Sequence, residues 1–294
     1  MGVKTVGLVG AGTMGQGIAT ACAEAGFEVL LADRTAAIAA RAVEEIAEDL
    51  DRDIAKWRHT ASEKKAILGR LRAVDGLPAL EEADLVIEAV PDDFALKVQI
   101  FAELDRVCPP EDVLATNTST LSVTEVAAHT KRPDRVIGLH FQNPVPRTPL
   151  VEIVSGLQTS EGTLAAAREF VRQIGKTGVE VHEYPGYVTT RVILPFLNEA
   201  MYVVMEGVAK AEAVDTAMKL GYGLPTGPLA LADRIGLDEL MRWMQYLFKE
   251  LGDFKYRPCP LLRQMIRAGR LGVKSGRGFF AYDANGEVTG EQSP

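Results

Sequence analysis

The sequence is poor in cysteine and in long apolar runs, and these absences exclude several protein classes. Its three cysteines, Cys22, Cys108 and Cys259, form neither a CxxC pair nor an even set for disulfide bonds. No apolar run reaches the ~18–20 residues that a membrane-spanning helix needs. The first residues, MGVKTVGLVGAG, also lack the apolar segment and cleavage site of a secretory leader. We therefore expect a cytoplasmic protein that does not enter membranes.

The sequence has no excess of basic residues either. Its 32 Lys and Arg against 40 Asp and Glu give a formal net charge of -8 at pH 7, whereas nucleic-acid binding needs a basic surface to displace counterions. The 47% of hydrophobic and 24% of charged residues are typical of a globular protein. Because 294 residues exceed the usual size of a single core, we expect two domains and no nucleic-acid partner.

The pattern of the chain changes once, at the Tyr184-Pro185-Gly186 break. Before it, short β-branched runs alternate with Ala- and Leu-rich stretches, which predicts an α/β fold with a Rossmann-like, doubly wound, mainly parallel sheet. The predicted strands are Val3–Val9, Glu28–Ala32, Leu85–Ala89, Val113–Thr116, Val136–Leu139, Leu150–Val154 and Val179–Val181. Beyond the break only helical patterns remain, near 187–207, 211–220, 228–235, 238–250 and 260–268.

These patterns predict two domains. The first is an α/β domain over residues 1–184, with a helical hairpin inserted near 35–72 as helices at about 35–55 and 61–72. The second, over 185–294, is all-helical. Its first helix is apolar on more than one face, which is typical of a buried helix or of a subunit interface, and Pro195 inside it predicts a kink or a local break.

A glycine-rich turn follows the first predicted strand and opens a helical stretch. In that context a GxGxxG motif indicates a dinucleotide site, because the glycines allow a tight turn and close approach of a pyrophosphate, while the helix N-terminus presents N–H donors. The candidate cofactor contacts in this turn are Gly10, Gly12, Thr13, Met14 and Gly15. On glycine spacing alone, a turn of this kind without a ligand is the alternative.

The next predicted strand ends at Asp33, which bears on the choice of cofactor. A carboxylate about 20 residues beyond the motif accepts hydrogen bonds from an adenosine ribose, and its charge disfavours the 2′-phosphate of NADP. Arg34 beside it could hold that phosphate, so NADP stays open as the alternative. We expect NAD.

Polar side chains follow three further predicted strands, at the edge of an open α/β sheet where ligands bind. They are Asp92, then Asn117 with Ser119, then His140. Each has an ordinary structural explanation: an aspartate can begin a helix, Asn or Ser can cap one, and a single histidine is more often packed than catalytic. Their convergence on the edge that carries the glycine turn predicts one functional crevice.

The segment GLHFQNPVPRTPLVEIV, residues 138–154, carries the candidate catalytic pair. His140 is the natural base for alcohol oxidation, since imidazole titrates closest to neutral pH. Glu152 lies in an apolar run where an unpaired carboxylate is costly to bury, so we expect it to orient and stabilise the imidazole. An exposed position on an edge strand is the alternative for Glu152. The three prolines between the pair restrict the loop.

Ser119 is expected to bond to the substrate oxygen beside this pair. The alternative of a serine hydrolase would require a GxSxG nucleophile elbow, which the sequence lacks.

Taken together, the motifs resemble those of the short-chain L-3-hydroxyacyl-CoA dehydrogenases, and most closely the bacterial 3-hydroxybutyryl-CoA dehydrogenases. The matching blocks are VGLVGAGTMGQGIA with Asp33, VIEAVPDDFALK, ATNTSTLSVTEVA, GLHFQNPVPRTPLVEIV, YPGYVTTR, DTAMKLGYGLPTGPLALADRIGLD and KSGRGFFAY. They span nearly the whole chain in family order, and the HFxNPVP and NTSxL blocks are specific. The resemblance implies NAD-dependent interconversion of (S)-3-hydroxyacyl-CoA and 3-ketoacyl-CoA. It also implies a homodimer formed through the C-terminal helices.

The resemblance implies roles for individual residues as well. It makes His140 and Glu152 the catalytic pair and Ser119 a substrate contact, and it implies no metal. The cofactor contacts that it adds to the glycine turn are Asp33, Asp92 and Lys97, and Arg34, Asn117 and Asn143 are further candidate cofactor contacts. In the family the helical hairpin contacts the coenzyme A nucleotide through basic residues, which makes Lys56 the candidate here, with Arg58 beside it.

Three positions depart from the family pattern. Thr190 stands where the family has an asparagine that helps hold the substrate carbonyl, Asp92 replaces a glutamate, and Gln142 replaces an aromatic residue or a methionine. A threonine hydroxyl is shorter than an amide and offers fewer hydrogen bonds. Three explanations stay open at Thr190: Ser119 or Asn143 compensates, the substrate is a different hydroxy compound such as a free hydroxy acid or heteroaromatic alcohol, or the enzyme is slow.

A protein of another class, one that binds a dinucleotide for a structural or sensing role without useful turnover, is also open on the glycine motif alone. The joint presence of His140, Glu152 and Ser119 argues against it.

Overall fold

The structure is a computed structural model that describes residues 3–291. The chain forms two compact units, the first ending at Tyr187 and the second beginning at Val188. No helix within the described residues is both long and apolar enough to cross a bilayer.

The first unit is built on an eight-stranded sheet. Its strands are β1 (Thr5–Val9), β2 (Glu28–Ala32), β3 (Leu71–Ala73), β4 (Leu85–Glu88), β5 (Val113–Thr116), β6 (Val136–Phe141), β7 (Leu150–Ser155) and β8 (Thr177–His182). Their order is β3-β2-β1-β4-β5-β6-β7-β8. All neighbouring strands are parallel except β6 and β7. The strands β2 and β3 thus lie on one side of β1, and the strands from β4 onward lie on its other side. Ligands of such sheets bind at the point where the strand order reverses.

Six helices accompany the sheet. They are α1 (Thr13–Glu24), α2 (Ala36–Ala55), α3 (Ala61–Leu68), α4 (Phe94–Val107), α5 (Val123–Ala127) and α6 (Glu161–Gln173), with short 3-10 helices at Leu77–Glu82 and Pro133–Arg135. Side-chain caps fix where the hairpin helices begin, because Thr35 accepts a hydrogen bond from the Ile38 N–H and Thr60 forms a capping box with Glu63.

Alternate residues of the central strands bury opposite faces of the sheet. In β1, Leu8 packs into one apolar cluster and Val9 into another, and in β4 the same holds for Ile87 and Val86. Since side chains alternate along a strand, both faces are covered by helices. This is the doubly wound α/β arrangement predicted from the sequence.

The second unit is mainly helical. Its elements are α7 (Thr189–Met205), α8 (Ala211–Tyr222), α9 (Pro228–Ile235), α10 (Leu237–Leu251), α11 (Pro260–Arg267), β9 (Phe280–Tyr282) and β10 (Val288–Glu291), with 3-10 helices at Phe254–Tyr256 and Val273–Ser275. One buried cluster, with Leu197, Leu240 and Met244 among its members, joins the helices. Gly223 and Gly252 end α8 and α10 in the left-handed conformation.

Three details differ from the sequence-based expectation. The helix predicted for 61–72 ends at Leu68, and the chain then forms β3, because pairing with β2 at the sheet edge overrides local helical preference. The second unit is not wholly helical, since β9 and β10 form a short antiparallel hairpin. Of the two alternatives predicted at Pro195, a kink or a local break, the break is absent, because α7 runs through that residue without interruption.

Candidate active site

The glycine turn has the shape that a pyrophosphate requires. Gly10 has φ +102°, and a Cβ there would lie 2.9 Å from the Ala89 backbone, while a Cβ on Gly15 would lie 1.8 Å from the Gly10 carbonyl oxygen. At Gly12, in contrast, a Cβ would meet nothing within 4 Å. Gly12 is also the N-cap of α1 and supplies no side-chain cap. The open space therefore faces the N–H groups at the start of a helix, which is an arrangement that suits a phosphate.

Asp33 fastens the end of β2 to this turn. Its Oδ2 accepts a hydrogen bond from the Ala11 N–H at 2.7 Å, and its Oδ1 accepts one from the Arg34 N–H at 2.7 Å. The Arg34 side chain is exposed, with Nε 3.8 Å from Asp33 Oδ1. The carboxylate thus lies at the carboxyl end of β2 beside the glycine turn, and the Arg34 side chain, unlike its backbone N–H, donates no hydrogen bond to it.

A buried charge network supports the segment after β4. Lys97 Nζ donates to Glu88 Oε1 at 2.7 Å and to the Val90 carbonyl at 3.1 Å, and it lies 3.3 Å from Asp92 Oδ1. Thr116 donates to the other oxygen of Glu88 at 2.8 Å. Burial raises the pKa of the Glu88 carboxyl, although the Lys97 ammonium opposes that effect. Glu88 could not be singled out from the sequence, because a glutamate at a strand end is usually exposed.

Lys97, a candidate cofactor contact, lies behind the sheet edge in this network. Its side chain is 0% exposed, and its ammonium is enclosed by Glu88, Val90 and Asp92. Lys97 holds the Asp92 carboxylate, which is partly exposed.

The segment after β5 is tied to its neighbours on both sides. Ser119 donates to Asp92 Oδ2 at 3.2 Å, and Thr120 is 3.4 Å from the same oxygen. On the other side, Asn117 Oδ1 accepts a hydrogen bond from the Phe141 N–H at 2.9 Å. Asp92, Ser119 and the end of β6 are thus joined in one hydrogen-bonded row along the carboxyl edge of the sheet.

His140 and Glu152 lie directly opposite each other on the antiparallel strands β6 and β7. His140 Nδ1 is 2.7 Å from Glu152 Oε2, and both side chains are buried. Strand β7 is also paired with β8 on its other side, so the alternative of an exposed edge position for Glu152 is wrong. With Nδ1 held by the carboxylate, Nε2 is the ring nitrogen left for chemistry in the neutral tautomer.

Two neighbours of His140 restrict its ring. Tyr187 packs against it with ring centroids 5.6 Å apart and donates its hydroxyl to the Leu121 carbonyl at 3.2 Å. Gln142 Nε2 lies 3.4 Å from both ring nitrogens. Tyr187 was missed at the sequence level. The Pro185-Gly186 turn immediately before it was the available signal.

The proline loop after His140 packs onto α1 and forms one wall of a cleft. Lys176 Nζ donates to the Val145 and Thr148 carbonyls at 2.6 and 2.7 Å, and the lysine was not foreseen as a support for this loop. The cleft, of ≈ 340 Å³, lies between α1, the end of α2 and the loop. Both Asn143, a candidate contact for the cofactor, and Lys56, a candidate contact for coenzyme A, line this cleft.

The remaining candidate, Thr190, lies in the first turn of α7 in the second unit, where it is buried. Within residues 3–291 no group of three or more His, Cys, Asp or Glu side chains is placed to hold a metal ion. The three cysteines are free and buried. Burial raises the pKa of Cys22 to about 12 and that of Cys108 to about 11, so neither presents a reactive thiolate.

Comparison with known proteins gives a consistent family assignment. The family model described as "3-hydroxyacyl-CoA dehydrogenase, NAD binding domain" matches residues 5–184, and the one described as "3-hydroxyacyl-CoA dehydrogenase, C-terminal domain" matches residues 186–282. The chain is 50% identical over 283 residues to the probable 3-hydroxybutyryl-CoA dehydrogenase of Bacillus subtilis (strain 168), covering 96% of this chain and 99% of that protein.

Two solved structures are similar over the same extent. FadB2 of Mycobacterium tuberculosis is 43% identical with a TM-score of 0.94, covering 96% of this chain and 100% of that one. The (S)-3-hydroxybutyryl-CoA dehydrogenase PaaH1 from Ralstonia eutropha is 45% identical with a TM-score of 0.89, covering 96% and 99%. With both family models matched in order and relatives this similar over nearly their whole length, the chain belongs to the 3-hydroxyacyl-CoA dehydrogenase family.

Proposed function

We propose that this protein uses NAD to interconvert (S)-3-hydroxybutyryl-CoA and acetoacetyl-CoA, with His140 as the acid and base. The observation that carries the proposal is the buried hydrogen bond between His140 and Glu152, at the carboxyl edge of a sheet that also bears an open glycine turn. The names of the relatives from Bacillus subtilis and Ralstonia eutropha support a short-chain thioester substrate.

The glycine turn and the end of β2 are the parts that fit NAD. The space at Gly12 and the uncapped start of α1 suit its pyrophosphate, and Asp33 suits an adenosine ribose. The Asp33 carboxylate favours NAD over NADP, because it would repel a 2′-phosphate. When bound, NAD supplies the hydride acceptor for oxidation and, in its reduced form, the hydride donor for reduction.

His140 moves the proton in this scheme. During oxidation, the hydroxyl O–H bond at C3 breaks and Nε2 takes the proton, while the C3–H bond breaks and its electron pair leaves with the hydrogen as hydride. Glu152 accepts the Nδ1–H, fixes the tautomer and stabilises the imidazolium that forms. In the reduction the same Nε2 returns the proton to the oxygen.

Ser119 and Asp92 complete the polar edge. We infer that Ser119 donates to the substrate oxygen once its bond to Asp92 is exchanged, since 3.2 Å is a long distance for a hydroxyl donor. Asp92, held by Lys97, is then left to accept a hydrogen bond from the cofactor. In this proposal Asn117 and Asn143 are further contacts with the cofactor, and Lys56 is a contact with coenzyme A.

Reduction of acetoacetyl-CoA with NADH tests the proposal, with free acetoacetate beside it and with wild type compared with His140→Ala. The thioester should be turned over by the wild type, and the variant should lose most of that activity. Absence of thioester turnover would reject the substrate class, and an undiminished rate in the variant would reject the mechanism. NADPH in place of NADH tests the cofactor preference assigned to Asp33.

A second candidate function is the same NAD-dependent reaction on a carbonyl compound that carries no coenzyme A. Only Thr190 favours it. This buried threonine replaces the asparagine that the family pattern carries at this position. Thr190→Asn should increase thioester turnover if the threonine is a weakened version of that contact. A decrease, together with faster wild-type reduction of acetoacetate, would favour the second candidate.

We further propose a homodimer that associates through the second unit. Several large apolar side chains of that unit are exposed, and such side chains are a feature of subunit interfaces. They are Val192, Val208, Leu220, Tyr222 and Phe254. Light scattering after size exclusion measures the mass directly.

Three free buried thiols support a reducing compartment such as the cytoplasm.

A further inference from the structure

The tip of the helical hairpin presents a tryptophan in an unusual backbone conformation. Trp57 has φ +57° and its side chain is 95% exposed. A bulky residue with positive φ is an outlier in proteins, and a large aromatic ring in water forgoes the free energy of burial. Both features oppose folding, so neither explains why a tryptophan stands here.

The hydrogen bonds around Trp57 show which residue the fold itself would favour. Its N–H donates to the Ile54 carbonyl at 3.0 Å, and the Arg58 N–H donates to the Asp53 carbonyl at 2.9 Å. These two bonds form the Schellman motif that closes α2, with Trp57 at the position where glycine is usual. These hydrogen bonds hold the turn in place. They keep Trp57 at the position of the motif that requires a positive φ, which strains the backbone of a non-glycine residue.

The residues on either side of Trp57 in the chain, Lys56 and Arg58, are cationic. Arg58 is held by Asp53, with Nη1 3.0 Å from Oδ1, and Arg147 of the proline loop reaches the same oxygen at 2.9 Å. Lys56 is exposed, has no carboxylate partner among residues 3–291, and lines the ≈ 340 Å³ cleft that ends at this turn. An exposed aromatic ring with cationic residues next to it in the chain is a combination suited to a base and its phosphates.

We propose that Trp57 stacks on the adenine of the coenzyme A thioester and so determines the preference for thioesters that carry the nucleotide. Lys56 and Arg58, which the family resemblance already assigns to this nucleotide, are the neighbours of Trp57 in the chain, and the role of Trp57 is the new element. The inference rests on the proposed function, and a bound adenine explains why a tryptophan stands exposed at a position of positive φ.

The adenine concerned is not that of NAD. The ribose position at Asp33 precedes α2, and Trp57 follows it. The 20 residues of α2 separate its two ends by about 30 Å, at 1.5 Å per residue. A nucleotide at Asp33 therefore does not reach the tip of the hairpin.

The main test compares two thioesters. Trp57→Gly removes the ring and relieves the backbone, so the protein should fold with an equal or higher Tm. Its KM for acetoacetyl-CoA should rise about 10-fold, whereas its KM for acetoacetyl-N-acetylcysteamine, which lacks the nucleotide, should stay within about twofold. Trp57→Phe, which keeps an aromatic face, should recover most of the loss. Leu157→Ala is the matched control, because Leu157 is another apolar side chain of this unit that is 87% exposed.

Fluorescence gives a second readout that does not depend on turnover. The chain has two tryptophans, so Trp243→Phe leaves Trp57 as the sole one. Titration with adenosine 3′,5′-bisphosphate should quench its emission saturably. An absent quench, or an equal rise in KM for both thioesters, would overturn the stacking role while leaving the proposed function intact. Failure of the wild type to reduce either thioester would overturn both.

Discussion

The two units bury carboxylates next to different kinds of partner. In the first unit Glu152 lies 2.7 Å from a histidine nitrogen and Glu88 lies 2.7 Å from a lysine ammonium. In the second unit Asp233 accepts hydrogen bonds from the backbone N–H groups of Phe279 and Phe280, both at 3.0 Å, and from a tyrosine hydroxyl at 2.9 Å. Its neighbour in the fold, Asp215, accepts two backbone N–H groups at the start of α9.

This difference separates chemistry from architecture. A carboxylate that faces an imidazole can stabilise a proton that arrives and leaves, which is what acid and base catalysis requires. A carboxylate that faces peptide N–H groups has no such partner, and it fastens loops instead. Asp233 joins α9 to the strand β9, and burial raises its pKa to about 6. Buried charge alone therefore does not identify a catalytic residue, whereas its partner does.

The largest expected effect is that of Glu152→Gln on catalysis. Glutamine keeps the size of the side chain but carries no charge to stabilise the imidazolium. Its amide can also donate to His140 Nδ1 and so hold the imidazole in the wrong tautomer. We expect kcat to fall by roughly 10³–10⁴-fold, measured by NADH-dependent reduction of acetoacetyl-CoA. Glu28→Gln, at an exposed glutamate of β2, is the control and should retain its activity. A loss below tenfold for Glu152→Gln would place this residue with the architectural carboxylates.

The next effect in size is that of Asp233→Ala on stability. The variant leaves two buried N–H groups and the Tyr282 hydroxyl without an acceptor, and each unsatisfied group costs about 1–3 kcal/mol. We expect a loss of about 4 kcal/mol in the free energy of unfolding, measured by denaturant titration. A change below about 1 kcal/mol would mean that Asp233 does not fasten the hairpin.

A smaller effect follows from the raised pKa of Asp233. Between its ordinary value of 3.8 and about 6 the folded protein binds more protons at this site than the unfolded chain does. Stability from this group therefore falls as pH rises through that window, by up to about 1.4 kcal/mol per pH unit. The excess of the wild-type unfolding free energy over that of Asp233→Asn should therefore become smaller as the pH is raised from 4 to 6. A difference that grows with pH would contradict the assignment.

The catalytic part of the first unit was largely accessible from the sequence because it depends on local patterns, whereas the roles of Asp215 and Asp233 in the second unit were not predicted. The glycine turn, Asp33, His140 and Glu152 each stand at a strand end or in an apolar run whose period is visible in the residues. The positions of the strands followed from β-branched runs, and parallel order then placed their carboxyl ends on one edge.

What the sequence did not reveal depends on contacts between distant segments. Strand β3 exists only because it pairs with β2, and Lys97 is enclosed because Glu88 is buried opposite it. Tyr187 reaches His140 from a turn 47 positions later in the chain, and Lys176 holds the proline loop from beyond α6. Such partners have no local signature, since any polar side chain on a strand or loop could be exposed instead.

The central claim is that His140 and Glu152 act as one unit, and a double-mutant cycle on kcat tests it most directly. The rates of His140→Ala, Glu152→Gln and the double variant are measured with acetoacetyl-CoA and NADH at saturation. Because Glu152 acts only through His140, the double variant should be about as slow as His140→Ala alone. Losses that multiply in the double variant would show that the two residues act independently and would contradict the account.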